Sequence, residues 1–157
     1  MRKRYIQSSE RAGNASDSDW LNMEQLAEVE LTSEDAAHRI EAALSPDSGV
    51  GWQAAVPGEQ LIRFRFRQPQ RIRRIFLEFV ENSLERTQEF CLRWAADGDS
   101  SLTEIVRQQW NFSPHGSTRE IEDFQVDLAG VRIIELNIIP DTHGCETRAG
   151  LANFRVA

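Results

Sequence analysis

Few side chains in this 157-residue sequence could act chemically on a ligand, and they fall into three patterns. Asp141, His143 and Cys145 alternate within one short stretch. With His115 they would be donors for a small transition-metal site or for a Cys–His nucleophilic pair. The spacing matches no standard zinc pattern, Gly144 makes the stretch a turn, and no neighbouring residue would orient the histidine or build an oxyanion nest. Nor is there a glycine-rich phosphate cradle, so catalysis is not expected. The second pattern is Trp52 with Asn82, Arg86, His115, Arg119, Asp141, His143 and Arg148. An aromatic ring packs the CH face of a sugar, while guanidinium, amide, carboxylate and imidazole groups bond its hydroxyls. The competing readings are a partly buried wedge for Trp52 and ordinary solvated charge for Arg86 and Arg148. Trp94 and Trp110 fall in strand-like runs and read as core or sheet-face residues. Third, Arg63, Arg65 and Arg67 occupy alternate positions, which on a strand lie roughly 6.6 Å apart. Such a row would grip oxyanions, or else pair across strands with acids such as Glu78 and Glu135.

Composition bounds the frame that must hold these residues. With 40% hydrophobic and 27% charged residues the chain reads as one globular domain. Its net charge of −7 hides a local excess of arginine: Glu59 to Arg74 carries six arginines against one acid, and Lys3 is the sole lysine. The overall sign argues against a nucleic-acid partner. No apolar run approaches the ~20 residues of a spanning helix, and no apolar stretch follows the basic start, so neither a membrane partner nor export is expected and the reading is cytoplasmic. Two cysteines, Cys91 and Cys145, are then expected as free thiols.

Polar residues 1–19 read as a flexible arm and 20–157 as the folded domain. Ala27, Val29 and Leu31 alternate with acids as a half-buried strand does. Ser33 with Glu34 and Asp35 predicts a capped helix start, carried on by Ala36, Ile40, Ala43 and Leu44 and stopped at Pro46. Further strands are expected at Ile62–Arg67, Ile75–Val80, Phe90–Ala95, Glu104–Phe112, Ile121–Leu128, Val131–Ile139 and Leu151–Val156. Eight strands and one short helix, without crossover helices, imply an all-β antiparallel sandwich. If the strands alternate in direction, the segments 44–58, 81–88, 113–118 and 140–149 gather at one end, and the short turns 68–71, 96–103 and 129–130 at the other. Long loops on a rigid frame are where function concentrates.

The segments Thr32-Ser33-Glu34-Asp35, SPDSGVGW ending at Trp52, EQLIRFRF, RIRRIFLEF, FCLRW with Ala96-Asp97-Gly98, VDLAGVRIIELNI and LANFRVA, in this order, resemble the discoidin or coagulation factor 5/8 type C domains. The resemblance spans Glu28 to Ala157. It implies a galactose-binding-like jelly roll and a non-catalytic module that binds glycans, lipid head groups or proteins, with a glycan taken by the long-loop end. It also implies a structural calcium below the loops. Where the family carries Asp-Gly-Asp this chain has Ser45, Pro46 and Asp47, with Val50 in place of Thr and Asn153 in place of the last-strand acid. Calcium prefers several carboxylates, and Asp47 alone supplies one, so a bound calcium is doubtful and no other cofactor is implied. The expected function is carbohydrate or other small polar ligand recognition. The alternative is a protein–protein interaction or assembly module.

Overall fold

The computed structural model describes residues 19–45 and 51–157, so the expected arm, apart from Asp19, and Asp47 lie outside the described residues. The strands are β1 (Ala27–Leu31), β2 (Trp52–Gln53), β3 (Gln60–Val80), β4 (Arg86–Ala96), β5 (Thr103–Phe112), β6 (Arg119–Ile139), β7 (Gly150–Leu151) and β8 (Asn153–Val156). Among the described residues two one-turn helices, α1 (Met23–Leu26) and α2 (Glu41–Leu44), accompany them. Every strand pairing is antiparallel, as expected for the all-β class.

Turns expected at Gln68-Pro69 and Ala129-Gly130 do not end strands. Instead β3 and β6 run through both and pair with each other from Gln60 opposite Ile138 to Val80 opposite Arg119. Register shifts between Arg65 and Arg74 bend this ribbon, and Gly130 takes a φ of 67° at the bend. Pro69 is accommodated there because the ladder is already interrupted. The side-chain phase changes across the bend: Ile62, Phe64 and Phe66 are buried before it, and Ile75, Leu77 and Phe79 after it.

One ribbon therefore serves two layers. The first half of β3 lies between β1 and the second half of β6, which continues to β4 and β5. The second half of β3 lies between β8 and the first half of β6. The layers meet through aromatic rings: Phe64 stacks on Phe154 at 4.9 Å, and Phe79 sits 5.3 Å from Phe90.

The bend returns β3 to the end where it began, so the long loops do collect at one end. Hydrogen bonds tie them together: Glu81 N to Thr118 O at 2.8 Å, Thr142 N to Thr87 O at 2.8 Å and Gly58 N to Thr147 O at 3.1 Å. At the opposite end Asp97 N reaches Gly130 O at 2.9 Å.

Of the helix expected over Ala36–Leu44, only α2 is α-helical. The acceptors expected to cap it are engaged elsewhere. Asp35 Oδ1 takes the Ala37 amide at 2.8 Å in a local turn, and the Ser33 hydroxyl donates to Gln60 at 2.8 Å and accepts from the Ala55 amide at 3.0 Å. The unexpected α1 is closed by Asn22, whose side chain accepts from the Gln25 amide at 3.2 Å.

Candidate functional site

Two residues with the same strand parity organise the loop end. Arg86 and Gln88 share the inward face of β4 with Phe90 and Leu92, so both point into the sandwich. Arg86 is 6% exposed. Its guanidinium donates to Glu81 at 2.7 Å, to Gln88 at 3.2 Å and to the Pro140 carbonyl at 2.6 Å, and it lies 4.8 Å from the Phe112 ring centre. One side chain thus links the 81–85 loop, β4, the end of β5 and the 140–147 loop. Burial works against the charge of Glu81, but the Arg86 bond and the Ser83 and Leu84 amides outweigh it and hold the carboxyl below the usual range.

Gln88 passes the network inward, donating to Glu120 Oε1 at 3.3 Å. Glu120 is 0% exposed and its Oε2 has no partner among the described residues. Burial, reinforced by the neighbouring Glu122 carboxyl, pushes its carboxyl up to about 8.

Above this network opens a hollow of about 460 Å3. Arg86 and Phe112 form its floor, Asn111 and Ser113 one rim, and His143 and Cys145 the other, with Asp141 in the wall. The Asp141 side chain closes the turn of its own loop by accepting the His143 amide at 3.0 Å. That bond, against the opposing effect of burial, and the Cys145 thiol keep the Asp141 carboxyl below its ordinary range, while the same carboxylate raises the Cys145 thiol. His143 is 76% exposed at the mouth. Thr87 donates to the Asn111 amide oxygen at 2.7 Å, which orients the amide. The hollow therefore combines a buried cation–aromatic floor with an oriented amide, a hydroxyl and an exposed imidazole at its rim.

The expected site residues separate. Arg86, Asp141 and His143 meet at the hollow, and exposed Asn82 and His115 lie in the adjoining loops. Trp52 is no stacking platform: it is 2% exposed and its indole donates to the Ser33 carbonyl at 3.2 Å, so it is the buried wedge. Nor is Arg86 a solvated loop charge, because its parity turns it inward. Arg119 pairs with Glu78 at 2.7 Å on the outer face of the three-stranded layer, away from the hollow. Arg148 sits 3.5 Å from Asp35. Asn111 and Ser113 were not among the expected site residues, although their position at the loop-end terminus of β5 is the signal that could have found them.

The arginine row is paired across strands. Arg63 holds Glu135 at 2.7 Å and Glu30 at 3.5 Å, Arg65 holds Glu30 at 3.5 Å, and Arg67 reaches Glu28 at 4.0 Å. Cys91 and Cys145 are both free. Asp47 lies outside the described residues, and Asn153 donates its amide to Glu78 at 2.8 Å. Among the described residues no three His, Cys, Asp or Glu side chains are grouped to hold a metal.

No protein-family model matches the sequence, and no curated protein matches it. Solved structures do resemble its fold. A chitosan-binding module from a Paenibacillus sp. IK-5 chitosanase/glucanase superposes with a TM-score of 0.61 at 15% identity, over 87% of this chain and 98% of that one. The family 32 carbohydrate-binding module of C. perfringens NanJ, solved with galactose, gives 0.61 at 12% identity over 87% and 96%. A Ruminococcus gnavus GH29 fucosidase gives 0.64 at 8% identity over 87% of this chain but 26% of that one. The chain shares the β-sandwich fold of these carbohydrate-binding modules. At these identities the likeness is one of fold.

Proposed function

We propose that this chain is a non-catalytic glycan-binding module whose site is the loop-end hollow. The observation that carries the reading is the hollow itself, about 460 Å3 in volume, floored by a locked Arg86–Phe112 pair and rimmed by oriented polar side chains on long loops. Those rim groups suit a sugar, whose hydroxyls need placed polar partners, while the buried Arg86–Phe112 pair holds the floor beneath them. Fold likeness to carbohydrate-binding modules supports it. Arg86 acts as a positioning residue through its Nε and Nη1 donors, which bond Glu81, Gln88 and Pro140, and Asn111, Ser113 and His143 are the groups placed to touch the ligand. Glycan-array screening followed by calorimetry tests the reading. Binding of at least one glycan, weakened about tenfold by Asn111→Ala or His143→Ala (~1.4 kcal/mol each), is the expected outcome. A folded protein that binds no glycan would contradict it.

A further inference from the structure

A second surface has the chemistry for carbohydrate and lies away from the loop-end hollow. On the outer face of the three-stranded layer, Arg74, Phe76, Glu78 and Val80 project from β3, and Asn153 and Arg155 from β8, because Ile75, Leu77, Phe79, Phe154 and Val156 take the inward positions. Trp20 lies over this face. Its ring centre is 6.2 Å from that of Phe76 and 4.9 and 6.0 Å from the Arg74 and Arg155 guanidinium carbons. Trp20 and Phe76 are both only half-buried.

Two hollows adjoin along this face. One, of about 270 Å3, contains Trp20, Phe76, Glu78 and Asn153. The next, of about 190 Å3, contains Val80, Ala152, His38 and Gln53. Glu78 and Val80, and Asn153 and Ala152, are near neighbours in the chain, and the Ala152 amide bonds the Glu78 carbonyl at 2.8 Å, so the hollows form one track. From Arg74 to Val80 it follows six residue steps, roughly 20 Å of strand. That length suits several linked pyranoses rather than one compact ligand.

Two of the charges along the track, Arg74 and Glu78, are compensated within the protein. Arg74 grips Asp123 at 2.6 and 2.8 Å, and Glu78 accepts from Asn153 at 2.8 Å while pairing with Arg119 at 2.7 Å. These bonds hold the polar groups in place before any ligand arrives. An aromatic end, the oriented Asn153 amide and the paired Arg74 and Glu78 match a chain of uncharged sugars. We infer that the outer face of the three-stranded layer is a second glycan-binding track, which takes an extended neutral polysaccharide with Trp20 and Phe76 as its aromatic platform. This inference rests on the glycan-binding reading above.

The test is calorimetric titration of the full chain with galactose, glucose and N-acetylglucosamine, and with β-linked hexamers of each. At least one hexamer is expected to bind tenfold or more tightly than its monomer. Trp20→Ala and Asn153→Ala, each checked for folding by far-ultraviolet dichroism, should weaken that hexamer fivefold or more and leave monomer binding unchanged. A hexamer bound no better than its monomer, or one unaffected by both variants but weakened by Asn111→Ala, would overturn the track and leave the loop-end reading intact. Hexamer binding gained only after removal of residues 1–18 would show that those residues occupy the track in the native chain, and would also overturn it. No binding by any sugar, monomer or hexamer, would reject the underlying reading.

Discussion

Arg86 and Glu120 show how strand parity decides what a polar side chain can do. Arg86 shares its parity with Phe90, and Glu120 shares its parity with Phe124, so both face the interior although the sequence around each is polar. Placing the start of the strand at Phe90 made Arg86 look like a loop residue, and extending the same alternation back by four residues would have turned it inward. Replacing Arg86 with Ala should cost about 3–5 kcal/mol in denaturant unfolding, because Glu81 and the Pro140 carbonyl lose their buried partner. Glu120 carries a pH prediction. Its folded carboxyl is raised to about 8 from 4.5, so the folded protein holds a proton that the unfolded chain releases. The associated stability is complete below about pH 4.5 and is lost as pH rises through 8. Chemical denaturation from pH 5 to 9 should show this decline. Glu120→Gln should flatten it and raise stability at pH 9 by about 2 kcal/mol, and a pH profile unchanged in that variant would assign the decline to another group.

Elements were legible in proportion to how strongly their alternation was enforced by burial. β1 has the bounds that its apolar and acidic residues predict, because one face packs on the core and the other meets solvent. β3 and β6 were read as pairs of separate strands, since the bend between their halves uses the same residues, Pro69 and Gly130, that mark hairpin turns elsewhere. The helix expected after Ser33 shrank to one turn because its caps were engaged by long-range partners such as Gln60, which no local pattern reveals. Backbone crowding fixes the entry into β2. Gly51 has a φ of 72°, and a Cβ there would meet the Leu151 carbonyl oxygen at 2.5 Å and the Ala152 Cα at 2.8 Å. Gly51→Ala should therefore destabilise the fold by at least about 2 kcal/mol, seen as a lowered denaturation midpoint, whereas Gly58→Ala, with a strained φ but open space, should cost less.

At the scale of the molecule, the bent β3–β6 ribbon gathers four long loops at one end, and this gathering was legible from strand alternation alone. The composition of the site within that end was not. Trp52, the residue most suggestive of sugar stacking, is spent on the core, and Asn111, Ser113 and the Arg86–Phe112 floor line the hollow instead. The local excess of arginine within a chain of net charge −7 is met across strands, because the row is matched by Glu28, Glu30 and Glu135. What remains is a rigid frame that presents the loop-end hollow proposed as the glycan site. The most direct measurement of that claim is calorimetric titration of the strongest glycan-array ligand into the native chain and into His143→Ala and Asn111→Ala, with folding of each verified. Saturable binding to the native chain, weakened about tenfold in each variant, is predicted. Binding of equal strength in all three proteins, or none to the folded native chain, would contradict the account.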